Sequence, residues 1–199
     1  APWGADDLQM PDGKGLLVEL PANQLLSDER RAKLLAAVRK QSAALALAVS
    51  LRDLPRGRAP LRISPDYIGT LLPYAQEARD VARLLDLDAE RLILENRPAE
   101  VADRIVAILR AGESLREEPF LISQMVRNAV RSVAAQRIER MLAQTQPPAE
   151  VCQRLRKEIH AQRRENLLLT GLRGERAGVH HLFENLQRRV VTLDEFLAT

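Results

Sequence analysis

Residues 98–116 read PAEVADRIVAILRAGESLR. Val101, Ile105, Ile108, Leu109 and Leu115 recur at three- and four-residue steps, the period that lines up one face of an α-helix. Pro98 suits a first helical turn, where its missing N–H is no loss. Gly112 falls on the same apolar face. A glycine there costs about 1 kcal/mol against alanine, so it predicts a neighbour in close approach.

The same period repeats on both sides. A first helix is predicted over 27–51, with Ser27 as N-cap, Asp28 and Glu29 in the turn where the helix dipole favours negative charge, and Leu34, Leu35, Val38, Leu45 and Val49 inward. A proline-bearing connection covers 55–65, and Ser64-Pro65-Asp66 predicts a short helical turn. The second helix spans 73–95, with Ala78, Ala82, Leu85, Ala89 and Leu92 in one stripe. The fourth starts at Glu118-Pro119. Its apolar set is Ile122, Met125, Val126, Ala129, Val130, Val133, Ala134, Ile138 and Met141, with Arg127, Arg131, Arg137 and Arg140 on the remainder. A fifth follows Pro147-Pro148 through Val151, Leu155 and Ile159. A sixth covers 166–189 through Leu168, Leu172, Val179, Leu182, Phe183 and Leu186. Thr192 to Glu195 resembles a capping box.

Residues 1–26, with Pro2, Pro11 and Pro21 and three glycines, read as irregular, apart from a candidate short strand over 16–20. The expectation is an all-α fold: a single helical domain over 27–199 of antiparallel helical hairpins, arranged as a tetratricopeptide-like array or an irregular helical bundle of about six long helices.

Composition narrows the function classes. The 199 residues are 46% hydrophobic, 29% charged and 3% aromatic, a globular balance. Arg outnumbers Lys 26 to four, a bias read as genomic composition. One cysteine, Cys152, excludes an internal disulfide and a Cys-cluster metal site. No apolar run reaches the roughly 18 residues of a membrane span. The net charge of +3 is uneven: residues 120–190 hold 13 basic and six acidic groups, a balance of +7.

Residues 117–127, EEPFLISQMVR, followed by LRGERA at 172–177, resemble an uncharacterised bacterial family of helical, tetratricopeptide-like extracytoplasmic domains behind one N-terminal membrane segment. The resemblance covers residues 60–188. It implies an extracytoplasmic, membrane-anchored protein with the anchor upstream, and it implies no activity. A first residue that is Ala and not Met fits a removed signal or anchor, or a trimmed chain. The cytoplasm is the alternative location.

No phosphate-binding loop, dinucleotide fingerprint, zinc-protease motif or nucleophile elbow is present. The candidate ligand-binding residues are Glu175, Arg176, His180, His181 and Glu184 in the sixth helix. Residues three or four apart share a helix face, so a His and a carboxylate there could give two metal ligands. No third ligand is evident, no Glu-x-x-His occurs, and neither a metal nor a cofactor is assigned. Gly171, Gly174 and Gly178 together would cost about 3 kcal/mol if helical, which predicts close packing, a kink or a ligand on bare backbone. Glu175, between them, is expected to be buried against an arginine of the fourth helix. Ser123 and Gln124 are expected to satisfy the end of a neighbouring helix.

The leading functional expectation is a non-enzymatic protein- or peptide-binding module, which requires an exposed apolar groove with a polar rim. A ligand- or metal-dependent enzyme centred on residues 171–184 is the alternative. The third is association of the basic half with anionic lipid or nucleic acid, although no aromatic stacking platform accompanies the charge.

Overall fold

A computed structural model of the chain describes residues 17, 20–54, 57–58, 60–163 and 165–194. Among them the protein is an all-α helical bundle: α1 (Asp28–Lys40), α2 (Ser42–Val49), a 3-10 turn (Ser50–Asp53), α3 (Pro73–Leu94), α4 (Pro98–Glu113), α5 (Leu121–Gln144), α6 (Ala149–Arg163) and α7 (Leu167–Gln187). Residues 16, 18 and 19 of the expected strand and Glu195 of the capping box lie outside the described residues; Leu17 lies in a turn and Leu20 in no regular element.

The centre is made by α3, α4 and α5, each of which touches the other two. The three-residue link between α3 and α4 forces an antiparallel hairpin. Leu85, Leu92, Val101, Ile105, Ile108 and Leu115 are fully buried there; each such side chain stabilises the fold by about 1.5–3 kcal/mol. Every expected inward residue of α4 is buried. Gly112 makes the predicted close approach, since a Cβ there would lie 3.2 Å from Val130 Cγ1.

Two expectations are corrected. The predicted first helix is two helices, bent by 78° at Gln41. Gln41 takes φ −111° and ψ 20°, and its N–H donates to the Val38 carbonyl three residues back, closing α1 before α2 restarts. The bend carries the chain from α3, against which α1 packs, to a place where α2 touches α3 and α4.

The second correction concerns α5. Ile122, Met125 and Ala129 face solvent, and Arg127, Arg137 and Arg140 are buried. The inward positions are Ser123, Arg127, Val130, Ala134, Arg137 and Met141, stepped by four, three, four, three and four. Carboxylates on the partner helices decide this orientation. Glu90 of α3 is fully buried and receives Arg137 Nη1 and Arg140 Nε (2.7 Å); Asp86 receives Arg137 Nε at 2.7 Å. Turning these guanidinium groups outward would strand Glu90 without a partner, at a cost of several kcal/mol. Arg140 Nη1 also donates to the Pro21 carbonyl at 2.9 Å, strapping the irregular segment before α1 to the end of α5.

The start of α5 lies two residues later than expected. Gln124 Nε2 donates to the Leu115 and Glu118 carbonyls (3.2 and 2.7 Å), and Ser123 Oγ donates to Glu118 Oε2 (2.5 Å). These bonds close the turn between α4 and α5; the acceptors belong to that turn and not, as expected for the polar pair, to the last carbonyls of a neighbouring helix.

Candidate docking groove

The three glycines of α7 fix its position. Gly171, Gly174 and Gly178 follow at three and four residues, face inward and are buried. A Cβ on Gly171 would lie 2.9 Å from Leu121 Cα; one on Gly174 would overlap the Pro119 carbonyl, and one on Gly178 would overlap the Tyr67 ring. Of the three explanations for the glycines, close packing is the one observed. Their neighbour is chiefly the turn that enters α5, not the flank of a helix. Tyr67 stacks on Phe120 with ring centroids 4.9 Å apart. Its φ of 61° reaches the left-handed region that non-glycine residues rarely adopt. The expected helical turn at Ser64 is therefore a tight turn, bonded from Tyr67 N–H to the Ser64 carbonyl at 2.8 Å. Asn185 Nδ2 donates to the Pro65 carbonyl (2.8 Å) and holds the other end of α7 to the same turn.

Glu175 does not pair with an arginine of α5. It is half-buried, and its Oε1 accepts the Leu121 N–H at 2.8 Å. That donor is one of the unsatisfied N–H groups at the start of α5, where the helix dipole favours an anion. Burial and, after it, the Glu175 charge push the Tyr67 hydroxyl up to about 12.

The other candidate residues do not converge. Arg176, His180 and His181 are exposed and Glu184 is half-exposed. His180 Nε2 lies 3.7 Å from Glu184 Oε1, and His181 Nε2 lies 3.1 Å from Asn185 Nδ2. Among the described residues no group of three or more His, Cys, Asp or Glu could hold a metal ion.

A different arrangement is present instead. An open groove of about 1040 Å³ lies between the outer face of α5 and the junction of α6 with α7. Met125, Ala129, Val133, Leu167 and Leu168 give it apolar walls; Asn128, Ser132, Gln136 and Asn166 give it polar ones. Leu168 also begins a stripe on α7. Leu168, Leu172, Val179 and Phe183 are 60%, 50%, 48% and 60% exposed, and steps of four, seven and four residues keep them on one face. Arg176 and His180 continue from Leu172 at four-residue steps and edge that stripe.

At one end of the groove, Glu165 meets three arginines. Arg116 Nη2 lies 2.9 Å from its Oε1, and Arg127 Nη2 and Arg131 Nη2 both hold its Oε2. Arg127 also bonds Glu113 Oε1 at 2.5 Å; burial pushes the Glu113 carboxyl up, and the Arg127 bond and charge, with Gln162 and Arg116, together outweigh it and hold the carboxyl below its ordinary range. Sequence reading missed this cluster. The one available signal was Arg127, Val130, Ala134, Arg137 and Met141 on a strict three-four step, which puts arginines and aliphatic residues on a common face.

The basic excess of residues 120–190 is correspondingly smaller at the surface. Arg127, Arg131, Arg137 and Arg140 are engaged by carboxylates inside, and Arg154 bonds Asp103 at 2.7 Å. Comparison with protein-family models, curated proteins and solved structures found no match to this chain.

Proposed function

We propose that the groove and the α7 stripe together form a docking surface for an acidic, amphipathic helix of a partner protein. The observation that carries this reading is the continuity of the two: Leu168 lines the groove and begins an exposed apolar stripe ending at Phe183. A contiguous apolar strip edged by polar groups is the usual mark of an interaction site, and a helix presenting apolar residues at three- and four-residue steps is its natural complement. Charge sets the sign of the partner. The one acidic residue lining the groove, Glu165, is held by three arginines, while Arg163 and Arg176 are exposed. Complementary charge at a rim raises the association rate and rejects wrong partners.

The tetratricopeptide-like reading of the hairpins belongs with this proposal, because arrays of helix pairs bind peptides along such faces. So does the location outside the cytoplasm behind an upstream anchor, supported by the resemblance of residues 60–188 and testable by protease access to the chain in intact cells.

The binding test is a selection of amphipathic 15-residue peptides, acidic and basic, against the protein and against Ala129→Trp, which fills the groove. Enrichment of acidic sequences that lose affinity for Ala129→Trp is the expected result. Equal recovery of basic sequences, or binding indifferent to Ala129→Trp, would overturn the reading.

A further inference from the structure

We infer that the end of the groove lined by Arg131 is a subsite for a carboxylate group, a reading that rests on the groove being the docking surface. Among the described residues the cluster joins Arg116, Arg127 and Arg131 to Glu113 and Glu165, three guanidinium groups against two carboxylates. A second cluster, Arg137 and Arg140 with Asp86 and Glu90, is balanced at two and two. Of the two clusters, the unbalanced one contributes residues to the groove lining, Arg131 and Glu165.

The geometry identifies which arginine is underserved. Arg127 spans both carboxylates, and Arg116 holds Glu165 Oε1 at 2.9 Å. Arg131 has only Nη2 on Glu165 Oε2, the oxygen that Arg127 already uses, and it stands 3.8 Å from Glu113 Oε1. The Nε atoms of Arg127 and Arg131 are buried without a hydrogen-bond partner. A guanidinium has five donors in a rigid fork that matches a carboxylate, so Arg131 has unused capacity of the kind a second carboxylate fills. Its Nε is closed to solvent, but the side chain as a whole is 18% exposed and lines the groove, so a ligand meets the guanidinium at its accessible edge and reaches Nε only by displacing what covers it. Burial and the neighbouring Arg127 also hold Arg131 below its ordinary pKa, the direction expected of a cation short of counter-charge.

The carboxylate belongs to a Glu or Asp of the docked helix, placed among the apolar residues that fill the groove. A free dicarboxylate presents the same chemistry, so glutarate serves as the probe. Glutarate titrated into the full chain is expected to raise Tm saturably, beyond sodium chloride at equal ionic strength, and to shift the Arg131 Nε–H resonance. Arg131→Gln should abolish the Tm gain, and the NMR readout on the native protein stands even where that variant folds poorly. Among peptides selected as above, Glu→Gln at the anchoring position should weaken binding at least tenfold with the native protein and less than twofold with Arg131→Lys, which keeps the charge and loses the fork. Glutarate behaving as chloride does, with selected acidic peptides still losing affinity for Ala129→Trp, would overturn the subsite and leave the groove standing. Failure to select any groove-dependent peptide would overturn both.

Discussion

The attachment of α5 to α3 and the attachment of α7 to the turn before α5 solve the same packing problem by opposite means. At α5, large charged side chains are drawn inside and matched, Arg137 and Arg140 against Asp86 and Glu90, between fully buried Leu85, Leu92 and Met141. At α7, side chains are absent where the contact is closest, and Gly171, Gly174 and Gly178 let backbone meet Leu121, Pro119 and Tyr67. The first contact is strong because removing a charge from it leaves its buried partners short of counter-charge. The second rests on close shape and two hydrogen bonds, Leu121 N–H to Glu175 and Asn185 to the Pro65 carbonyl, and it leaves Leu168, Leu169 and Leu172 on the outside.

The largest expected effect tests the ionic side. Glu90→Ala strips buried Arg140 of its carboxylate and leaves Arg137 with Asp86 alone, and should cost about 3–5 kcal/mol in urea unfolding; a loss below about 1 kcal/mol would break the contrast. Next is the glycine seat. Gly174→Ala places a methyl on the Pro119 carbonyl, and overpacking of this kind costs about 1–3 kcal/mol. Amide exchange should accelerate across α7 and stay unchanged in α3 and α4. Acceleration spread evenly through the bundle would show that the two attachments are one cooperative unit.

A smaller effect is expected from Glu175→Gln, which keeps the shape and removes the anion at the start of α5. The cost should be near 1 kcal/mol. Tyr67 gives a direct readout. Its folded pKa of about 12 lies above the ordinary tyrosine value of 10.0. Between those values the native state keeps a proton that the unfolded chain has released, so stability falls as pH rises through that window. Glu175→Gln should lower the Tyr67 midpoint and flatten the decline, while burial, the larger cause, keeps the midpoint above 10; ultraviolet titration of the phenol measures both. The smallest effect is Gly112→Ala. Its methyl meets the movable Val130 side chain at 3.2 Å, and the gain in helix propensity of about 1 kcal/mol nearly offsets the crowding. A net change within about 1 kcal/mol is expected by thermal unfolding, against the larger loss at Gly174.

The legible parts of this molecule are those where aliphatic spacing acts alone. On α3 and α4 every stripe residue is also a core residue, so the helical period and the burial agree. On α5 they part. Ile122 and Met125 obey the period and face water, because the orientation is decided by Glu90 and Glu113 on other helices; charge partners 14 to 50 residues away leave no mark on the local pattern. The bend at Gln41 is hidden for the same reason, since it answers to where α4 lies. At the candidate site, the glycine spacing announced a close approach but not its partner. Glu175 was read as buried with an arginine because a side-chain cation is the obvious counter-charge in a sequence, whereas a helix start is visible only in space. The groove was expected as a type of surface. Its walls come from three helices, so its residues could not be named beforehand.

The glycine seat also separates two kinds of constraint that are normally entangled in a helix. Positions 171, 174 and 178 answer to folding, and positions 168, 172, 179 and 183 answer to whatever lies against them. Exhaustive substitution along α7 should therefore yield two interleaved tolerance profiles, one fixed by expression level in every background and one that tightens only when a partner of the proposed kind is co-produced.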